Sequence, residues 1–217
     1  MLYFSLLFSS LISVVASCGE TAPTIARTPG GDSPPQNQLP PIPAAELSQC
    51  GHNMYYHAAD VPGAGIVGGI NAAPNEYPWL ARLKISIGDG QSDLCGASLI
   101  SDNWLLTAAH CVVGTKVEDI VAIFADHDKT KPDDGEYARS ISVVRVHSQY
   151  NRNSNENDIA MLKLSTPVDR TRDWKTQAIC LQESCTAGCG AGTTTYIAGW
   201  GTKKEGMKLH WFRLFYL

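Results

Sequence analysis

The stretch from Cys95 to Cys111, CGASLISDNWLLTAAHC, restricts what this chain can become more than any other. Apolar residues lead up to Thr107-Ala108-Ala109, and His110 then stands directly before Cys111. The imidazole is therefore carried at the end of a strand and held by whatever Cys111 is tied to. Such a histidine is fixed in place, not free on a surface.

A lone histidine in an apolar run is ordinarily a packed core residue, but two further segments stand in order around this one. They are IVGG at Ile66–Gly69, followed by Pro78-Trp79, and NDIAMLKL at Asn157–Leu164. Together with CGASLI and WLLTAAHC, they resemble the amino-terminal, aspartate and histidine segments of trypsin- and chymotrypsin-like serine proteases, peptidase family S1. The resemblance implies an all-β chain of the trypsin-like double antiparallel β-barrel fold, with the first barrel complete and the second only begun. It also implies that His110 is the general base, that Asp158 is the carboxylate orienting it, and that Ile66 is the amino terminus freed by activation. A disulfide between Cys95 and Cys111 is part of the same pattern, and closing a loop of that length stabilises a fold by roughly 3 kcal/mol on the chain-entropy account.

The chain has 217 residues, 44% of them hydrophobic, and a net charge of -4, which fits an ordinary soluble globule and, with no polybasic stretch, gives no sign of nucleic acid as a partner. Residues 1–17, MLYFSLLFSSLISVVAS, form an apolar run too short for a membrane span and end in small residues, so they read as a signal peptide of a secreted, extracellular protein without a transmembrane segment. No Lys or Arg precedes Arg27, and Val15-Ala16-Ser17-Cys18 also resembles a lipoprotein cleavage box on Cys18; cleavage after Ser17 is the preferred reading. Seven cysteines in an exported chain imply disulfides, with at least one cysteine left without an internal partner. Asn-X-Ser/Thr sites are absent.

Residues 18–65 read as a propeptide whose first part, rich in Pro, Gly, Ser and Gln, has too few large apolar residues to offset the entropy of ordering. Relatives of the family bridge a propeptide cysteine placed like Cys50 to a Cys-Leu step in the catalytic domain, which implies pairing with Cys180. From Ile66 onward the apolar pattern has period two, in Trp79–Ile87, Val121–Phe124, Ala138–His147 and Asp158–Leu164, separated by turn residues such as Asp89-Gly90 and Pro132–Gly135. Short strands with turns between them argue a barrel or a sandwich; the resemblance selects a six-stranded barrel over 66–164. A linker (165–192), the first strand of a second barrel (193–201, TTTYIAGWG) and a tail without assignable motif (202–217) complete a partial peptidase domain and its end.

In the family, a serine attacks the scissile carbonyl, a histidine takes its proton, an aspartate orients the histidine and backbone amides hold the oxyanion. The family's Gly-Asp-Ser-Gly-Gly-Pro segment, which carries that serine, does not occur in these 217 residues, and Ser98 and Ser101 lie in unrelated contexts. The 217 residues as written are therefore expected to lack nucleophile, oxyanion hole and specificity pocket, and to be inactive. Gly65 before Ile66 excludes activation by a trypsin-like cut but allows one after a small residue. No cofactor is expected. An acidic loop with Asp126, Asp128, Asp133, Asp134 and Glu136 falls where some relatives bind calcium, with Asp126, Asp128 and Glu136 the weak ligand candidates and a solvated acidic turn the preferred reading. Cys185 and Cys189 have no family counterpart and are left to bridge each other locally. The function implied is serine-type endopeptidase, with protein or peptide substrates or protease inhibitors as partners and self-association through an uncovered barrel face. The alternative is a secreted, non-catalytic homologue serving as a binding or regulatory module.

Overall fold

The computed structural model describes residues 13–15, 50–51, 72–171, 174–181, 196–201 and 212–215. Among them the strands are β1 (Ser13–Val15), β2 (Leu80–Gly88), β3 (Gln91–Ser101), β4 (Trp104–Thr107), β5 (Ile120–Phe124), β6 (Tyr137–Val146), β7 (Ala160–Leu164), β8 (Tyr196–Gly199) and β9 (Phe212–Phe215). Alternation makes them: in β2, Ala81, Leu83 and Ile85 are buried on one face while Lys84 and Ser86 stand exposed on the other. Leu80 and Arg82 also lie on that outward face and are nevertheless buried, Arg82 despite its charge.

Strands β2 to β7 close into an antiparallel barrel in the order β2-β3-β4-β7-β6-β5, sealed by the β2–β5 ladder. This is the first barrel that the sequence implied. Asp89-Gly90 turns β2 into β3, both residues having positive φ (47° and 72°), as a two-residue hairpin loop matched to strand twist demands. Leu83, Leu99, Leu105, Ile120, Phe124 and Leu162 fill the interior, all fully buried.

Past β7 the chain runs back over the barrel. Val168 donates its backbone N–H to Asp102 O, Gln177 to Pro78 O and Ile179 to Leu99 O, at 2.8, 3.0 and 2.8 Å. Val168, Ala178 and Ile179 are buried in doing so. Cys50 is disulfide-bonded to Cys180 across a separation of 130 residues, and Gly51 N–H donates to Ala178 O at 2.7 Å. Gly51 has φ 78°, and a Cβ there would stand 3.1 Å from Cys180 Sγ, so only glycine follows the cysteine without displacing the bridge.

A second, three-stranded sheet has the order β1-β8-β9. β8 lies in the segment that opens the second barrel by resemblance. β9 falls in the tail, and β1 falls in the apolar run read as a signal peptide, where Ser13–Val15 pairs with Tyr196–Ala198. The apolar, β-branched pair Val14-Val15 is as suited to a strand as to a leader, and composition alone does not separate the two. Ile66, Gly65, Cys18, Cys185 and Cys189 lie outside the described residues.

Candidate active site

Strand register brings the two sequence-predicted residues together. β4 and β7 are neighbours in the barrel, with Thr107 opposite Ala160. His110 follows Thr107 by three residues and Asp158 precedes Ala160 by two, so both emerge from the same end of one ladder. After Thr107 the chain enters a single helical turn, α1 (Ala109–Val112), anchored by buried Ala109 and Val112. Thr107 Oγ1–H donates to Gly96 O at 2.7 Å, and Cys111 is bonded to Cys95 on β3, so the turn is fastened to the barrel on both sides of the histidine.

The Asp158 carboxylate accepts from His110 twice: the backbone N–H reaches Oδ1 at 2.8 Å and the ring Nδ1–H reaches Oδ2 at 2.7 Å. The Asp158 side chain is 6% exposed and that of His110 is 41% exposed. A carboxylate that accepts at Nδ1 places the ring proton there and leaves the Nε2 lone pair free to accept a proton. Nε2 lies 3.5 Å from Cys111 Sγ, a disulfide sulfur with no proton to give.

The segment leading into Asp158 is itself rigid. Asn157 takes a positive φ (57°), its side-chain N–H donates to Gln149 O at 3.0 Å, and Ile159 N–H turns back to Asn157 O at 2.8 Å. Burial, and then the nearby Asp158 charge, hold the Tyr150 hydroxyl above its usual range.

The acidic loop is rearranged relative to the sequence expectation. Oxygens of Asp126, Asp133 and Glu136 come within 4.8 Å of one another. Asp128 stands apart from this group, because its Oδ1 accepts from Thr130 N–H and Oγ1–H at 3.0 and 2.6 Å while Lys131 pairs with it from the solvent side. Asp133 takes the place given to Asp128. The buried Asp126 carboxylate accepts from the Arg82 guanidinium. Burial pushes the Asp126 carboxyl up to about 6 against the pull of Arg82, with Glu136 and Asp133 adding to the rise. Burial likewise holds His127 below its usual value. Lys175 Nζ pairs with Asp134 at 2.9 Å, and Gly135 leaves it room: a Cβ there would meet that nitrogen at 2.8 Å. The carboxylates of this cluster already accept from the N–H groups of His127, Asp128 and Asp133 and from the Arg82 guanidinium.

The family model described as Trypsin matches residues 66–213, which is more than half of the chain and runs past Gly201 into the tail. The chain belongs to the trypsin family. Among curated relatives of this trypsin-family chain, Transmembrane protease serine 9 of Rattus norvegicus is 33% identical over 184 residues, covering 85% of the chain and 16% of that protein. Serine protease SSP1 of Scolopendra subspinipes is 36% identical over 140 residues (63% and 47% covered), and Serine protease 56 of Mus musculus is 34% identical (82% and 28% covered). The chain spans less than half the length of each of these relatives. A solved structure described as "Structure of GrC" superposes with a TM-score of 0.61 at 25% identity, covering 68% of this chain and 63% of that one. Among the described residues no helix is long and apolar enough to cross a membrane.

Proposed function

We propose that this trypsin-family chain supplies the general base, His110, and the orienting carboxylate, Asp158, of an exported serine endopeptidase acting on protein or peptide substrates. The observation that carries this reading is the double acceptance by Asp158 from the backbone and ring of His110. It fixes both position and tautomer, so that a hydroxyl approaching Nε2 would lose its proton to the ring as it attacked a carbonyl. The nucleophile belongs to a segment not found among these 217 residues, and the 217-residue chain alone is proposed to hydrolyse nothing. Activation is proposed to free Ile66 by a cut after Gly65, with the propeptide retained through Cys50–Cys180. Protease inhibitors, and second copies meeting through an uncovered barrel face, are the further partners of this reading.

The test assays the 217-residue chain, before and after proteolytic removal of residues preceding Ile66, on Arg, Phe and Ala ester substrates. No hydrolysis above buffer is expected, and turnover sensitive to a serine-directed reagent overturns the proposal. Joining the chain to a continuation that carries Gly-Asp-Ser-Gly-Gly-Pro should confer turnover that His110→Ala abolishes. Turnover unaffected by that substitution would remove His110 from the role. Binding of a protease inhibitor with no turnover from the joined protein would favour the non-catalytic alternative.

A further inference from the structure

We infer that the acidic loop between β5 and β6 carries its own cation, Arg82, and takes no metal ion. The inference is independent of the proposed catalytic role. Carboxylates of Asp126, Asp133 and Glu136 converge to within 4.8 Å of one another, and negative charges so placed need a compensating positive partner. Either a divalent ion or a side chain of the protein can supply it, and four observations assign it to the side chain.

Arg82 is already there. It projects from the outward face of β2, its side chain 10% exposed, and donates from Nε to Asp126 Oδ2, whose side chain has no exposure at all. An arginine placed in the middle of an apolar strand and buried there has a partner as its reason.

The backbone faces the wrong way for a metal. His127 and Asp128 both donate N–H to Asp133 Oδ2, at 2.5 and 2.6 Å, and Asp133 N–H donates to Glu136 Oε2 at 3.2 Å. These dipoles turn their positive ends toward the cluster, whereas a calcium loop gathers six to eight oxygens, several of them carbonyls.

A second cation is close. Lys129 Nζ is buried without a hydrogen-bond partner and feels both Arg82 and Asp126. A divalent ion inserted among the carboxylates would be repelled by these two cations.

The loop is also closed from outside. Lys175, from the segment that follows the barrel, pairs with Asp134 and donates to its carbonyl at 3.0 Å, so the loop is fastened at its tip as well as its base. Fixed charges of the chain therefore hold the loop in calcium-poor and calcium-rich surroundings alike.

The experiment has two arms, both on the 217-residue chain. Thermal melts in EDTA and in millimolar calcium chloride should give the same midpoint, and terbium(III) should give no saturable luminescence sensitised by the nearby Tyr77 and Tyr137. A calcium-dependent rise in the midpoint, or saturable terbium luminescence that Asp133→Asn removes, overturns the inference. The second arm sets Glu136→Gln in two backgrounds. With Arg82 present, the loss of one carboxylate should leave the midpoint unchanged or lower it. With Arg82→Met, where the cluster has lost its counter-charge, the same substitution should raise the midpoint by several degrees. The same sign in both backgrounds counts against Arg82 as the cation. Where Arg82→Met alone does not fold, recovery of a cooperative melt in the Arg82→Met, Glu136→Gln double variant supports the inference. If neither folds, Arg82→Lys decides: a cation retained there should keep the melt indifferent to calcium, and a calcium response overturns the inference.

Discussion

The carboxylate of Asp158 spans two donors of one residue, the backbone N–H and the ring Nδ1–H of His110, across 48 positions of sequence. Replacing it by asparagine substitutes an N–H2 for one acceptor oxygen. With the amide oxygen kept by the backbone N–H, the amide nitrogen faces the ring and forces Nδ1 to accept. Asp158→Asn should therefore move the neutral ring from the Nδ1–H to the Nε2–H tautomer, read directly from the imidazole nitrogen chemical shifts. An unchanged tautomer would mean that the carboxylate does not set it.

The Cys95–Cys111 bridge closes a loop with a sequence separation of 16. Replacing both cysteines by serine should lower unfolding stability by about 2–4 kcal/mol in a urea titration, on the loop-entropy account. It should also speed hydrogen exchange at the His110 amide, whose helical turn the bridge fastens. A loss confined to the amide, with the urea midpoint unmoved, would show that the bridge restrains only the site.

Much of this was legible in the chain itself. Alternation in Leu80–Ile85 and the Asp89-Gly90 step read directly as strand and hairpin turn, because local sterics and one buried face decide both. His110 and Asp158 were legible as segments that resemble a family, and the β4–β7 register explains in physical terms why those segments meet. Arg82 was not legible. On a period-two strand it reads as an outward-facing polar residue, and its burial depends on a loop 44 positions later folding over it. Alternation is blind to such closure. The exchange of Asp128 for Asp133 has a similar origin: local hydrogen bonds to Thr130 turn one carboxylate away, and spacing alone does not reveal which of several acidic residues will do so. The Cys50–Cys180 pairing came from resemblance, since 130 residues of separation leave nothing for spacing to say.

Asp126 gives a pH dependence of known sign. Its folded-state value of about 6 lies above the 3.8 of an unperturbed aspartate in the unfolded chain, so between these limits the folded chain keeps a proton that the unfolded chain has released. The stability contributed by this group is full below pH 3.8 and declines as pH rises through 6. The stability difference between the natural chain and Asp126→Asn should thus shrink by about 1–3 kcal/mol from pH 4 to pH 7. His127 contributes in the opposite sense, since its lowered value means that acidification favours the unfolded state, but it is common to both proteins. A difference that grows with pH would show that Arg82, not burial, dominates the carboxylate.

Cleavage between Gly51 and Ala72 should leave two fragments joined by Cys50–Cys180. Limited proteolysis followed by electrophoresis should show one band without reductant and two with it. Separation without reductant would mean that the bridge had not formed.

The β4–β7 ladder also has a consequence for the order in which the chain is made. His110 is made some 50 residues before β7, and Asp158 follows only at the threshold of β7. Until that last strand zips into place beside β4, the imidazole lacks the carboxylate that sets its tautomer, although Thr107 and the Cys95–Cys111 bridge already tie its turn to β3. The pair is accordingly a property of a sealed sheet and not of two residues.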